Sequence, residues 1–258
     1  MNYFYTLFLY FFIYCILGWI AEVFFCRLVL GKWTNRGFLY GPYCPIYGFG
    51  GIIVVLFLEP FKINPILIFV LGTLLTTMLE YITSYILEKL FDAKWWDYSH
   101  IPLNINGRVC VFNSILFGIL GLFATYIIHP HVQNIITKIP NSYLEYIFFI
   151  ILLLLTIDLM ATLNTLLNFK SKLKYLHEIK EKIKLKNNSY VQNNELIKQL
   201  EELKYEFIHK KHMLKNRLIH AFPDMTMNKF NESFEELKIA IHSYKLKKNK
   251  KDVSKSKK

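Results

Sequence analysis

Long apolar runs, separated by short polar loops, fill the first two thirds of the chain. A helix that crosses a membrane needs about 20 mostly apolar residues, because lipid offers the backbone no hydrogen-bond partner. Five runs approach this length, and each is expected to form a helix: residues 3–29, 45–58, 65–90, 109–128 and 143–169. The pattern therefore predicts an all-α, polytopic membrane helix bundle. The second run is short and rich in glycine, so a re-entrant hairpin is the alternative there.

The pattern becomes polar after residue 169, and residues 170–222 are predicted to form a first, amphipathic helical section. A second amphipathic helix is expected at about residues 229–244, and the lysine-rich end from Lys245 should be disordered. The chain is therefore divided into a transmembrane bundle (1–169), a helical hairpin or coiled coil (170–222), and an amphipathic helix with a disordered end (223–258). The coiled-coil seam follows spacings of four, three, four and seven residues, with Lys210 inside it, and contains Leu196, Leu200, Leu203, Phe207 and Leu214.

Composition supports a membrane protein. The chain is 53% hydrophobic and only 19% charged, whereas an average soluble domain is roughly 25% charged. This difference argues against an ordinary soluble enzyme. Residues 1–168 contain 8 basic and 8 acidic side chains, so the remaining 23 basic and 11 acidic side chains supply the whole net charge of +12.

The distribution of lysine and arginine predicts the orientation. Because basic segments stay on the cytoplasmic side, we expect a cytoplasmic tail and, with five spans, an N-terminus outside the cell. The loops after the first and third spans then lie inside with six basic residues, against two in the outer loops. We expect the tail to contact anionic lipid and its seam to bind a second copy or a cytosolic subunit. Nucleic-acid binding is not expected, because few aromatic residues lie among the basic ones.

Ionisable side chains within the apolar runs are the first candidate site residues. A carboxylate at membrane depth is unfavourable and usually faces a partner or a wet cavity. Glu22 and Glu80 lie toward the predicted cytoplasmic ends of their spans, and we expect them to line one pocket with Arg36 and Arg108 as counter-ions. The alternative is ion pairs that lock the loops and bind no substrate. Glu88, close to the interface, is expected to be solvated.

Small and polar residues also recur at helical spacing in each long span. We interpret the glycine, serine and threonine members as helix-packing positions. Examples are Ser114, Gly118, Gly121 and Thr125 in the fourth span, and Thr162 and Thr165, which follow Asp158 in the fifth.

The two predicted inner loops supply the other candidates. Residues 35–48 contain two prolines and three glycines, which fix sharp turns. Residues 95–108 begin with the aromatic stretch Trp95-Trp96-Asp97-Tyr98, typical of headgroup-level anchors. Asn106-Gly107 predicts a type I′ turn in a hairpin that dips toward the pocket. The predicted pocket residues are Glu22, Asn35, Arg36, Glu80, Ser84, Asp97, Asn104, Asn106 and Arg108.

No catalytic residue, metal ligand or cofactor site is predicted. The four cysteines include no C-x-x-C pair, and their positions suit reduced thiols. His129-Pro130-His131 is interpreted as a helix stop rather than a metal-binding pair. Gly31-Lys32 is followed by Trp33, where a phosphate-binding loop requires serine or threonine, so a separate subunit would have to bring ATP.

Six stretches carry a further signal when they are taken together: Gly18-Trp19-x-x-Glu22, Asn35-Arg36-Gly37-Phe38-Leu39, Gly41-Pro42-Tyr43-Cys44-Pro45-Ile46-Tyr47-Gly48, Glu80-Tyr81-x-x-Ser84-x-x-x-Glu88, Trp95-Trp96-Asp97-Tyr98 and Asn104-x-Asn106-Gly107-Arg108. These stretches resemble the CmpB-like family of ABC-transporter type IV, permease-like membrane proteins, common in Gram-positive bacteria. They cover roughly residues 15–130, and the tail stretch Ala221-Phe222-Pro223 is similar as well. Phe117 departs from the tryptophan expected at its position. The resemblance implies a permease-like role in a bacterial cell membrane, and it brings no substrate or catalytic residue.

The predicted function is a permease-like component of an ABC-type transport system, with a cytoplasm-facing polar pocket. Five spans are few for a transporter, so a homodimer is expected. One alternative is a membrane-embedded enzyme acting on an anionic substrate or lipid at the inner leaflet, with Glu22 or Glu80 as acid/base and the arginines holding the anion. The other is a membrane scaffold or sensor, in which the spans anchor the tail.

Overall fold

The structure, a computed structural model, describes residues 3–31, 33–185, 190–209, 219, 222 and 225–256. It is 79% helical, which confirms the predicted all-α fold. In chain order the helices are α1 (Tyr3–Leu30), α2 (Pro45–Ile53), α3 (Pro65–Phe91), α4 (Val111–Phe123), α5 (His129–Thr137), α6 (Asn141–Leu185), α7 (Tyr190–His209) and α8 (Asn231–Ser256). Short strands among the described residues are β1 (Ala93–Lys94), β2 (Asn104–Ile105), β3 (Val109–Cys110) and β4 (Thr226–Met227).

Four of the described helical segments are long and apolar enough to cross a membrane: Tyr3–Leu28, Pro65–Phe91, Val111–Thr137 and Asn141–Lys184. The segment Pro45–Phe61 is shorter. It measures about 25 Å at about 1.5 Å per residue, against a hydrocarbon core of about 30 Å. Four of the five predicted spans are therefore long enough by length and composition, and a full crossing of the second stays a prediction.

α2 lies against α1 and begins near the middle of that helix. The amide of Cys44, just before α2, donates a hydrogen bond to the Cys15 carbonyl oxygen at 2.9 Å. Gly48 packs on Cys15 and Gly51 on Tyr14, because glycines let the two backbones approach closely. Since Cys15 lies near the centre of α1, the loop before α2 enters the bundle to about half its depth.

α3 and α4 pack through small residues. Gly72 of α3 lies opposite Gly118 and Gly121 of α4, and a Cβ added at Gly121 would lie 3.6 Å from the Gly72 Cα. Leu58 and Ile68, both 0% exposed, fill the adjoining core. These glycines are packing positions, as their helical spacing predicts.

The predicted helix stop at His129-Pro130-His131 is wrong. A π-helical turn, Ala124–Ile128, joins α4 to α5, and helical backbone continues to Thr137. A proline lacks the amide hydrogen and clashes with the carbonyl of the preceding turn in an ordinary α-helix. The π-helical turn directly before Pro130 changes the hydrogen-bond register there, so the helix continues past it.

α6 is one continuous helix of 45 residues, about 67 Å long. It passes the predicted domain boundary at residue 169 without a break, because only side-chain polarity changes there and no proline or glycine interrupts the backbone. Leu173 of α6 packs with Phe207 of α7 and Phe234 of α8 in one core. α8 continues past Lys245 to Ser256, where the sequence predicts disorder. Leu214 of the predicted seam lies outside the described residues.

The tail also packs against the loop between α3 and α4. β1 of that loop pairs antiparallel with β4 of the tail, with Ala93 opposite Met227 and Lys94 opposite Thr226. Trp95, the next residue, is buried in the same core as α6, α7 and α8. The tail and this loop therefore share one hydrophobic core.

Candidate functional site

The first loop, between α1 and α2, is held by Asp158 of α6. This carboxylate accepts hydrogen bonds from the Tyr40 amide at 2.9 Å and the Gly41 amide at 2.7 Å. The Tyr43 hydroxyl and, at 3.1 Å, the Thr162 hydroxyl also donate to it. These donors replace hydration lost by a charged group inside the bundle, so they fix the loop to α6.

Asp158 is not among the predicted pocket residues. Its sequence signal is the polar stripe that it forms with Thr162 and Thr165 on the fifth span. The Thr165 hydroxyl also lies 3.0 Å from the Tyr40 hydroxyl. A stripe of this kind equally suits helix packing, and its loop partners lie more than a hundred residues earlier in the chain.

Glu22 of α1 is paired with the start of the first loop. Its Oε1 accepts a hydrogen bond from the Tyr47 hydroxyl at 2.6 Å, and its Oε2 lies 3.6 Å from Nη1 of Arg36. Asn35 is anchored beside this pair, because its Oδ1 accepts a hydrogen bond from the Trp19 indole at 2.8 Å. The structure therefore contains an ion pair between Glu22 and Arg36, two of the predicted pocket residues.

The second loop, between α3 and α4, contains the predicted hairpin. β2 and β3 pair antiparallel, and Asn106 and Gly107 between them have φ angles of 54° and 68°, as a type I′ turn requires. Asn104 donates to the Ile101 carbonyl at 2.7 Å and accepts from the Gly107 amide at 3.0 Å. Asn106 donates to the Tyr81 hydroxyl at 3.1 Å, so the tip of the hairpin lies against α3.

Asp97 stabilises the stretch before the hairpin. Its Oδ1 accepts hydrogen bonds from the Ser99 amide at 2.9 Å and the Ser99 hydroxyl at 2.5 Å. Burial favours the neutral form of Asp97, but these hydrogen bonds outweigh it, and the pKa of Asp97 lies below its ordinary value. Asp97 therefore supports the shape of the second loop.

Arg108 pairs with Glu88 and lies beside two tyrosine rings of α3. Its Nη2 is 2.6 Å from Oε2 of Glu88, and its guanidinium carbon is 5.4 Å from the Tyr81 ring centroid and 5.5 Å from that of Tyr85. Asn228 of the tail donates to Oε1 of Glu88 at 2.9 Å. The prediction that Glu88 is solvated is wrong, because the second loop and the tail leave its side chain only 15% exposed.

Glu80 lies two turns before Glu88 on α3 and is 5% exposed. Its Oε1 accepts a hydrogen bond from the Tyr98 hydroxyl at 3.2 Å, and its Oε2 has no hydrogen-bond partner among the described residues. Ser84, one turn further along α3, is also buried. Burial and the adjacent Glu80 carboxyl raise the pKa of Tyr98 above its ordinary value, so its hydroxyl keeps its proton.

The two glutamates that are predicted to share a pocket have different partners. Glu22 bonds to residues of the first loop and α2, and Glu80 bonds to the second loop. Arg108 pairs with Glu88 instead of Glu80. One pocket shared by Glu22 and Glu80 therefore stays a prediction.

Phe222 of the tail lies between the two loops. Its ring centroid is 6.0 Å from the Arg36 guanidinium carbon and 5.1 Å from the Trp95 ring. Phe38 of the first loop lies 5.3 Å from the same tryptophan. Phe222 belongs to the tail stretch that resembles the CmpB-like family; its two neighbours in that stretch lie outside the described residues. Its position joins both loops to the tail.

Within the part of the chain that the structure describes, no cluster of three or more histidine, cysteine, aspartate or glutamate side chains could hold a metal ion. The four cysteines are buried and form no disulfide bond among themselves.

Membrane-length apolar helices, with polar loops bound to carboxylates inside the bundle, define a helical integral membrane protein. A family model described as "Putative ABC-transporter type IV" matches residues 9–163, more than half of the chain, and covers both loops. The chain belongs to this family of ABC-transporter-type membrane proteins, which confirms the resemblance seen in the sequence. No curated protein and no solved structure matches the chain.

Proposed function

We propose that the chain is the permease-like membrane component of an ABC-type transport system in a bacterial cell membrane, working with a separate subunit that hydrolyses ATP. Its site is the polar region where the two loops enter the bundle. Family membership supports the transport system. One structural observation carries the choice of site: non-helical backbone at about half the depth of the bundle, bound to Asp158.

Non-helical backbone is tolerated at membrane depth only where protein buries it or where it lines a water-filled cavity. Transport proteins use such interruptions, because an unwound segment presents polar backbone and side-chain groups to a solute at the bilayer midplane. The first loop and the short helix α2 have this form, with Glu22, Arg36 and Asp158 as the charged groups beside them. A purely structural set of ion pairs would bind no solute, and this is the competing explanation.

The site faces the cytoplasm in this proposal. The basic tail packs against the second loop and lies next to the first, through Phe222, and a strongly basic segment remains inside the cell. The N-terminus is then outside if Pro45–Phe61 crosses fully. Anionic lipids of the inner leaflet and a second copy of the chain are further partners in this arrangement.

The test is purification of the tagged full-length chain from its native membrane in mild detergent. We expect a subunit with a phosphate-binding loop to accompany it in comparable amount, and the purified material to hydrolyse ATP. An untagged chain, carried through the same purification, is the control for adventitious binding. If no ATP-hydrolysing subunit is enriched over that control, the proposed function is wrong.

A membrane sensor is the second candidate, because the tail contacts both loops. Phe222 touches Arg36 and Trp95, and β4 pairs with β1, so a signal received by the tail would reach the membrane site directly. Phe222→Ala separates the two functions. In a sensor, this change should abolish the transmission of the signal from the tail to the membrane site. A permease with the same change should keep its ATP-dependent activity.

A further inference from the structure

Among the residues that the structure describes, no cation is paired with the buried side chain of Glu80. Its Oε1 has a single hydrogen bond, from Tyr98, and its Oε2 has no partner among the described residues. Each arginine of the two loops pairs with a different carboxylate, Arg36 with Glu22 and Arg108 with Glu88. An ionised carboxylate in this position would lose its hydration with only the Tyr98 hydrogen bond as compensation.

We propose that Glu80 is a proton-binding site controlled by the second loop. With the loop packed on α3 as in this structure, the Glu80 carboxyl group carries the proton. When the loop moves away and water reaches the side chain, the O–H bond of Glu80 breaks and the proton passes to water. The step is a proton transfer alone, with no oxidation and no group transferred.

The link between the loop and the proton is Tyr98. Its backbone amide donates to the Gly107 carbonyl at 2.8 Å, inside the hairpin turn, while its hydroxyl donates to Glu80. Movement of the hairpin therefore removes the hydrogen bond that Glu80 receives from Tyr98 and exposes its buried oxygen to water. The tail restrains the same loop through Asn228, which bonds to Glu88, the partner of Arg108.

The other titratable groups near this site are engaged elsewhere. The second loop and the start of α4 bring Cys110, which is buried, and Asn113, which hydrogen-bonds to Tyr98. On α3, Tyr81 bonds to Asn106 and Glu88 to Arg108. Further titratable groups on elements that pack against α3 are Tyr47 after the first loop, bonded to Glu22, and Asp158 of α6, bonded to the first loop. Lys94 of β1 interacts with Glu88.

Only the role of the proton site in transport rests on the proposed function, because proton binding itself is measured without transport. Infrared spectra of the full chain in lipid nanodiscs, recorded from mildly acidic to alkaline pH, report the carbonyl band of a protonated carboxylic acid. We expect a band at neutral pH that is lost in Glu80→Gln and kept in Glu59→Gln, a matched change at a glutamate paired with Lys62 near the opposite end of α3. It should disappear reversibly as the pH rises.

Tyr98→Phe provides a second variant that keeps the carboxyl group, and serves if Glu80→Gln fails to accumulate. Removal of the hydrogen bond should shift the band, because the Glu80 carboxyl group then accepts no hydrogen bond from the tyrosine hydroxyl. A wild-type spectrum without the band at neutral pH, or a band unchanged in both variants, overturns the proposal. A titrating band without any ATP-hydrolysing partner would refute the proposed function and leave the proton site standing.

Discussion

Replacement of Gly51 by alanine tests the close packing of α2 on α1. An added Cβ at Gly51 would lie 2.3 Å from Cγ, 2.4 Å from Cδ2 and 2.6 Å from Cβ of Tyr14. The Cβ of Tyr14 is attached directly to the backbone, so rotation of the ring cannot remove this clash. The two helices would have to separate, and the Tyr14 hydroxyl, 3.4 Å from Nδ1 of His129, would move with them.

The neighbouring Gly50 is the matched control, because a Cβ there meets nothing within 4 Å. Both changes gain up to about 1 kcal/mol from the better helix propensity of alanine. Over-packing of a close contact costs about 1–3 kcal/mol, and only Gly51→Ala has this cost. We therefore expect Gly51→Ala to be about 1–3 kcal/mol less stable than Gly50→Ala.

The assay is equilibrium unfolding in mixed micelles with increasing dodecyl sulfate, followed by tryptophan fluorescence. The difference between the two variants is the informative quantity, because propensity and expression effects cancel. Equal stabilities would show that α2 does not touch α1 at Gly51, and the mid-depth entry of the first loop would then lose its support.

Three further predictions concern the loops and the tail. In Trp33→Cys the new thiol should react with a membrane-impermeant reagent only from the cytoplasmic side, and in Ile63→Cys only from outside. Labelling of both thiols from the same side would show that α2 does not cross the membrane. Arg108→Lys should lower the free energy of unfolding by about 1–2 kcal/mol, measured by the same unfolding assay, because an ammonium keeps the charge but loses the contacts with two tyrosine rings; unchanged stability would mean that charge alone matters. The Lys170 ammonium donates to Asp92 and holds the pKa of Asp92 below its ordinary value. The contact therefore stabilises the fold fully above the ordinary aspartate pKa, and this stability is lost as the pH falls through the lower folded value. The free energy of unfolding should fall more with decreasing pH in the wild type than in Asp92→Asn, and identical pH dependence would contradict this.

Four of the five spans could be predicted from the sequence, because lipid imposes a length and an apolar composition on every crossing helix. The hairpin could be predicted as well, since Asn106-Gly107 can take positive φ at both turn positions. Continuous helix past Pro130 could not, because a π-helical turn depends on the surrounding packing and leaves no periodic signal.

The partners of the charged residues were harder to predict. Glu88 lies near a helix end, which suggests contact with water, yet Arg108 and Asn228 of the tail cover it. The two-residue strands β1 and β4 are too short to show an alternating pattern. Contacts of this kind join distant parts of the chain, and no local spacing encodes them.

The most direct test of the central claim is the rate of ATP hydrolysis by the purified complex when the first loop is released from α6. Asp158→Asn removes the charge that receives the Tyr40 and Gly41 amides, while Glu145→Gln makes the same chemical change at an exposed position of the same helix. We predict that Asp158→Asn lowers the rate about tenfold, the equivalent of roughly 1.4 kcal/mol, with normal membrane levels and an unchanged amount of the partner subunit. Glu145→Gln should leave the rate unchanged. Equal rates in the wild type and both variants would contradict a role for the anchored first loop in transport.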